Sequence, residues 1–122
     1  MNEAEIWKGF EAALAGHPFQ TVDDLRAEIE DGRASVFHGP NSAVFVRWDF
    51  ESGTAECAPQ TGDVGEVIAH LRPLIEDACA KLGIGEIHIQ AGRQAWARLM
   101  RPYGYEEAAV ILRKKLGHGF KQ

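Results

Sequence analysis

A unit of strand, helix, turn and strand, from about Ile84 to Leu116, constrains the fold of this chain more than any other feature. Its first strand alternates isoleucine with polar residues in the letters GEIHIQ. A short helix follows, which Pro102 and Gly104 end, and the last strand reads EEAAVILRKKL. The apolar face of the helix consists of Trp96, Leu99, Met100 and Tyr103. The unit predicts helices layered on a sheet.

The polar face of the first strand is unusual, because a strand between helices is ordinarily apolar on both sides. Glu86, His88 and Gln90 share this face. Two interpretations follow: these side chains line a cleft, or they lie at an exposed edge or under a polar loop.

In the remainder of the chain, the spacing of hydrophobic residues changes twice. Residues 1–32 predict two helices, the second begun by a capping box of Thr21 and Asp24. Residues 33–58 are rich in β-branched and aromatic residues around the turn letters GPN, and they predict three antiparallel strands, the last ending at Ala58. Residues 60–83 predict the long central helix, with a kink or a break near Leu71, since Pro73 lacks an N–H and clashes with the preceding turn.

The length of 122 residues predicts a single domain over 1–122, in which residues 84–116 form the strand-helix-strand unit and residues 117–122 a tail. No apolar run approaches the length of a membrane span, so we expect a cytoplasmic protein without a membrane partner. Cys57 and Cys79 stand apart without metal-ligand spacing, which predicts two buried thiols and no metal site.

The net charge of −5 is unevenly distributed. Residues 1–90 contain 16 acidic and 6 basic side chains, whereas residues 91–122 contain 2 acidic and 7 basic ones. The basic C-terminal part predicts a surface for cofactor phosphates or an acidic protein partner, or else a solvated face without a ligand. Nucleic acid is not expected, because no aromatic-basic recognition motif accompanies the charge.

A family resemblance rests on two segments, GRASVFHGPNSAVFV and GRQAWARLMRPYGYEEAAVILRKKL. Together they resemble the GNAT (Gcn5-related N-acetyltransferase) superfamily, and in particular small GNAT-like proteins of tailed phages and prophages. The resemblance covers roughly Thr21 to Leu116. It implies an α+β fold with a mixed, mostly antiparallel twisted sheet flanked by helices. The N-terminus is reduced, because helices precede the strands.

The resemblance also implies acetyl-CoA as the cofactor, with its diphosphate on backbone amides at the start of the central helix. The corresponding segment consists of Gln60, Thr61, Gly62, Asp63, Val64 and Gly65. Its glycine spacing departs from the family pattern, and Asp63 could cap the same amides instead. The resemblance implies that Arg93, Arg98 or Arg101 lies near the remaining phosphate.

Amine acetylation needs a base for the nucleophile and an acid for the departing thiolate. The resemblance implies Glu56 or His88 as the base. The position of the family's tyrosine acid holds Met100, which cannot donate a proton, and Tyr103 lies about one turn further on.

Two hypotheses therefore stand after the sequence. One is an acyl-CoA-dependent N-acyltransferase-like protein with an unknown amine acceptor. The other is a non-catalytic GNAT-like phage or prophage protein, which acts in a virion or as an interaction module through its basic C-terminal face.

Overall fold

The computed structural model describes residues 1–17, 19–89 and 98–106. The chain divides into two compact units, residues 1–90 and residues 91–122. The elements of the first unit are α1 (Glu3–Leu14), α2 (Val22–Glu30), β1 (Ala34–His38), β2 (Ser42–Asp49), β3 (Thr54–Gly62), α3 (Val64–Glu66), a π-helical turn (Val67–Leu71), α4 (Arg72–Leu82) and β4 (Glu86–Ile89). Among the described residues, no helix is long and apolar enough to span a membrane.

Both predicted N-terminal helices are confirmed, and side chains cap their first turns. The Thr21 hydroxyl accepts a hydrogen bond from the backbone N–H of Asp24 at 3.3 Å, and the Asp24 carboxylate accepts one from the N–H of Thr21 at 2.9 Å. This is the predicted capping box. A second capping box, of Asn2 and Glu5, begins α1.

The sheet has the strand order β1-β2-β3-β4, in which the first three strands are antiparallel and β4 is parallel to β3. The predicted mixed, mostly antiparallel sheet flanked by helices is therefore confirmed. On one face, α1 and α2 bury Phe10 and Leu25 against Phe45 of β2. Side chains alternate along a strand, so Val44 and Val46 point to the opposite face, where the π-helical turn contacts β2.

The predicted end of the third strand at Ala58 is wrong, because β3 continues to Gly62. Ala58 and Pro59 together lie opposite a single residue of β2, Phe45, since the pairing shifts between Cys57–Val46 and Gln60–Val44. Such a β-bulge accommodates a proline, whose nitrogen donates no hydrogen bond to the ladder. Pro59 is therefore tolerated inside the strand.

The predicted start of the central helix at residue 60 is wrong, because helical structure begins at Val64. Near Leu71, where a kink or a break was expected because of Pro73, the chain makes a π-helical turn, Val67–Leu71. The N–H of Arg72 donates to the carbonyl of Val67, five residues earlier. In this pattern the N–H of residue 73 would donate to the carbonyl of Ile68, but Pro73 has no N–H. Arg72 Nε donates to that carbonyl instead, at 3.0 Å. The wider turn thus lets a proline follow without breaking the helix.

The second unit is described only over residues 98–106. Residues 98–100 are helical and lead into a 3₁₀ turn, Arg101–Tyr103, which ends at Gly104. Of the predicted apolar face, Met100 is buried, whereas Leu99 and Tyr103 are about half exposed. Trp96, Arg93, the predicted last strand and the tail at 117–122 lie outside the described residues.

Candidate functional site

Three polar side chains form one row across the sheet, which we call the charged row: Arg47 of β2, Glu56 of β3 and His88 of β4. Arg47 pairs with Glu56 in the register of β2 and β3, and Glu56 pairs with His88 in the register of β3 and β4. Register partners on adjacent strands point to the same face of a sheet. The structure therefore brings together the two residues that the sequence proposed as alternative bases.

Arg47 anchors one end of the charged row. Its Nε and Nη2 donate to the two carboxylate oxygens of Glu28 on α2, at 2.6 and 3.1 Å, and its Nη1 lies 3.5 Å from Glu56 Oε1. The guanidinium also lies 5.5 Å from the ring centroid of Phe45. The bidentate pair fixes the guanidinium plane, since both oxygens of one carboxylate hold it.

His88 occupies the open end of the charged row. Its Nε2 lies 2.8 Å from Glu86 Oε1, and the two side chains are 49% and 64% exposed. Ile87, between them, is only partly exposed because it points to the other face. Of the two interpretations of this strand, the described part favours a polar face that is open to solvent. An imidazole with a carboxylate beside it is an arrangement that can transfer a proton.

The segment expected to bind a diphosphate is occupied by the protein itself. Gln60, Thr61 and Gly62 pair with β2, so they are strand residues rather than a loop. Asp63 is the N-cap of α3, and its Oδ1 accepts hydrogen bonds from the N–H groups of Gly65 at 2.8 Å and of residue 66 at 3.3 Å. Val64 is exposed. The amides that would hold a phosphate are therefore bonded to a carboxylate.

A second carboxylate, Glu66, lies beside this cap. Its Oε1 accepts hydrogen bonds from the Ser42 hydroxyl and from the N–H of Asn41. These bonds hold the pKa of Glu66 below its usual range, with the Ser42 hydroxyl as the largest cause and His70 as a further one. Two carboxylates at one helix start repel an anion. The residues present therefore do not fit a diphosphate at this position.

The remaining predicted site residues belong to the second unit. Tyr103 lies in the 3₁₀ turn and is 46% exposed, and Arg98 and Arg101 are exposed. Arg93 lies outside the described residues. Met100, at the position where the resemblance implied an acid, is 4% exposed, so its thioether is buried.

Sequence reasoning missed Arg47, Glu28 and Glu66. Arg47 had a detectable signal, because it shares a strand face with Ala43 and Phe45, where an apolar residue is expected. Glu28 and Glu66 had none, since a glutamate on a helix ordinarily faces solvent. Within the described residues, no group of three or more histidine, cysteine, aspartate or glutamate side chains is arranged to hold a metal ion.

Comparison with known proteins bears on the fold. No protein-family model and no curated protein sequence matches this chain. A point mutant of TTHA1254 from Thermus thermophilus is similar in structure, with a TM-score of 0.61 and 14% identity over 95% of this chain and 93% of that chain. An acetyltransferase of Trypanosoma brucei has a TM-score of 0.48 and 18% identity, over 94% and 96% of the two chains. At such identities the likeness to the T. thermophilus protein shows the fold alone.

Proposed function

We propose that this chain is an acyl-CoA-dependent N-acyltransferase-like protein that acts on an amine. The observation that carries the proposal is the charged row, in which Glu56 and His88 lie side by side on one sheet face. Either side chain can take a proton from an ammonium group, which an amine must lose before it can act as a nucleophile. Tyr103 is the proposed acid. We place this activity in the cytoplasm.

The proposal departs from the family pattern at the cofactor. Since Asp63 and Glu66 occupy the start of the central helix, we derive no step through a diphosphate bound there. Acetyl-CoA is the proposed acyl donor, and Arg93, Arg98 and Arg101 are the proposed contacts of its phosphates. In this proposal the protein is a degenerate relative of the acyltransferases at the Gln60 to Gly65 segment.

Acetyl-CoA binding tests the proposal. We expect acetyl-CoA to raise the unfolding temperature, because a ligand at 100 times its Kd stabilises the folded state by roughly 2.7 kcal/mol. ATP, which also carries phosphates and an adenine, serves as the control ligand and should raise it less. An unfolding temperature unchanged by millimolar acetyl-CoA would rule out the enzyme.

A thiol-release assay then tests the base. Glu56→Gln and His88→Ala should be compared with the parent protein, and the variant that lacks the base should lose roughly 10²- to 10⁴-fold in rate. Rates equal to that of the parent in both variants would remove both residues from the mechanism.

We propose a second function on a different observation, the bonding of Asp63 to the first amides of the central helix. Together with the buried Met100, it favours a non-catalytic GNAT-like protein of a phage or prophage, acting in a virion or as an interaction module. Its partner would be an acidic protein surface bound by the basic C-terminal part.

Charge reversal tests this second function. Arg98→Glu with Arg101→Glu should abolish co-purification with the partner, whereas Arg33→Glu, an exposed arginine in the first unit, should not. A partner that is retained by the double variant would contradict the interaction model.

A further inference from the structure

The two candidate bases of the charged row have different neighbours, and this difference separates their roles. We propose that His88 is the base and that Glu86 is its positioning residue, whereas Glu56 belongs to the ion-pair network of Arg47. The inference rests on the acyl transfer proposed above, and it assigns Glu86 a role that the sequence did not indicate.

Glu86 determines which imidazole nitrogen carries a proton. The His88 Nε2 lies 2.8 Å from Glu86 Oε1, and an ionised carboxylate only accepts hydrogen bonds. The proton of a neutral His88 ring therefore lies on Nε2, and Nδ1 keeps its lone pair. A base oriented by a third group is the arrangement that recurs in activated nucleophile sites.

Glu56 interacts with Arg47 on β2, the strand on the opposite side of β3 from His88. Its Oε1 lies 3.5 Å from Arg47 Nη1, and Arg47 is itself held by both oxygens of Glu28. A proton on Glu56 would remove the negative half of this ion pair. A proton on His88 would instead place a positive charge beside a carboxylate, which stabilises it.

The groups that face His88 come from several elements. Glu86 lies on the same strand, Glu56 lies opposite on β3, and Arg47 and Glu28 lie beyond Glu56 on β2 and α2. Among the described residues, the Glu86 carboxylate is in direct contact with the His88 ring, with Nε2 2.8 Å from Oε1.

The proton transfer balances within these groups. An N–H bond of the acceptor's ammonium breaks, its proton forms a bond to His88 Nδ1, and the nitrogen keeps the electron pair. The imidazolium carries the positive charge, which Glu86 compensates.

The pair of Glu86 and His88 is not required by the fold. Both side chains are about half exposed, and an exposed ion pair contributes at most about 1 kcal/mol to stability. The same exposure leaves the ring accessible to a substrate. A variant at Glu86 should therefore fold, which makes the test practicable.

Nitrogen NMR of the His88 ring tests the assignment without turnover. At about pH 8.5, above the ordinary pKa of histidine, the parent should show the proton on Nε2 alone. Glu86→Ala should make the Nδ1–H tautomer detectable, and Glu51→Ala, an exposed glutamate in the β2–β3 turn, should not. A tautomer that is unchanged in Glu86→Ala would overturn the positioning role.

Thiol release as a function of pH completes the test. We expect His88→Ala to lose roughly 10²- to 10⁴-fold in kcat, Glu86→Ala at least about tenfold with KM little changed, and Glu56→Gln at least about ten times less than His88→Ala. The acidic limb of the profile should also move in Glu86→Ala. A larger loss in Glu56→Gln than in His88→Ala would overturn the assignment.

The two experiments separate the proposals. If the parent protein releases no thiol, the proposed acyl transfer is rejected. The tautomer measurement still decides whether Glu86 positions His88. If the parent releases thiol and Glu86→Ala leaves the tautomer unchanged, the acyl transfer is supported and the role of Glu86 is rejected.

Discussion

Gly62 shows how one residue joins the sheet to the central helix. Its φ is 93°, and a Cβ built at this position would collide with the Asn41 carbonyl and lie 2.8 Å from Ser42 Cα. Glycine is therefore needed for its backbone conformation and for the close approach of the hairpin turn. The sequence suggested a different reason, a cofactor loop.

A comparison of two glycines tests this explanation. Gly62→Ala should lower the free energy of unfolding by about 2 to 5 kcal/mol, because both strain and overpacking act. Gly53→Ala is the control, since Gly53 has a φ of 72° but nothing within 4 Å of its added Cβ, and it should cost about 1 to 2 kcal/mol. Urea unfolding measures both, and equal losses would contradict the steric explanation.

Glu66 should make stability depend on pH. Hydrogen bonds from Ser42 and Asn41 lower the pKa of Glu66 in the folded chain, so its contribution is complete above the ordinary value of about 4.3 and is lost as the pH falls through the folded value. The unfolding free energy of the parent minus that of Glu66→Gln, measured by urea from about pH 7 to about pH 3, should therefore shrink at the acidic end.

Two features make this measurement selective. Asp49 also has a lowered pKa, but it is present in both proteins, so its effect cancels in the difference. Ser42→Ala removes the largest cause of the Glu66 shift, and in that background the difference should depend less on pH. A pH dependence that is fully retained would show that Ser42 is not the cause.

At the scale of elements, the central helix depends on a side chain that replaces a missing backbone donor. Arg72 donates to the Ile68 carbonyl from Nε and to Glu76 Oε1 from Nη1, at 3.0 and 2.7 Å. Its side chain is 15% exposed. The hydrogen bond to the Ile68 carbonyl is partly buried, and a carbonyl shielded from water incurs a desolvation penalty when it loses its donor.

Two substitutions on the same helix test whether the Ile68 carbonyl needs Arg72. Arg72→Met should lower the free energy of unfolding by about 1.5 to 3 kcal/mol. Lys81→Met removes an i, i+4 ion pair with Asp77 in which both side chains are more than half exposed, and it should cost only about 0.3 to 0.5 kcal/mol. Chemical denaturation of both variants gives the comparison, and similar costs would mean that the Ile68 carbonyl does not need Arg72.

The elements also show where prediction from the sequence succeeds. The capping box of Thr21 and the hairpin around Pro40 were predictable, because each depends on residues close together in the chain. The passage of β3 through Pro59 was not, since it depends on a shift in the pairing with β2. A proline that would end an isolated strand is tolerated when the pairing with a neighbouring strand allows a bulge at the proline.

At the scale of the whole molecule, α1 is held to the sheet by one buried aromatic cluster. Phe10 is fully buried and meets Phe45 and Trp7 edge to face, with centroids 6.3 and 5.6 Å away. Gly9, next to it, lets the helix lie directly on Thr61. This contact places α1 against the C-terminal part of β3.

Truncation of two phenylalanines measures how much the packing of α1 on the sheet contributes to stability. Phe10→Ala should lower the free energy of unfolding by about 3 to 5 kcal/mol, since it removes a buried ring and leaves a cavity. Phe19 is 86% exposed, so Phe19→Ala should change it by no more than about 0.5 kcal/mol. If the two variants unfold at the same urea concentration, α1 is not held to the sheet by Phe10.

The sequence by itself determined the α+β class and the element order of the first unit, because hydrophobic period and capping are local. The two candidate bases came from the family resemblance. Only the tertiary structure decided that Glu56 and His88 are neighbours, that Arg47 and Glu28 adjoin them, and that Asp63 bonds to the first amides of the central helix. Strand register and helix docking join residues far apart in the chain, and no local pattern records which side chains they bring within hydrogen-bond distance.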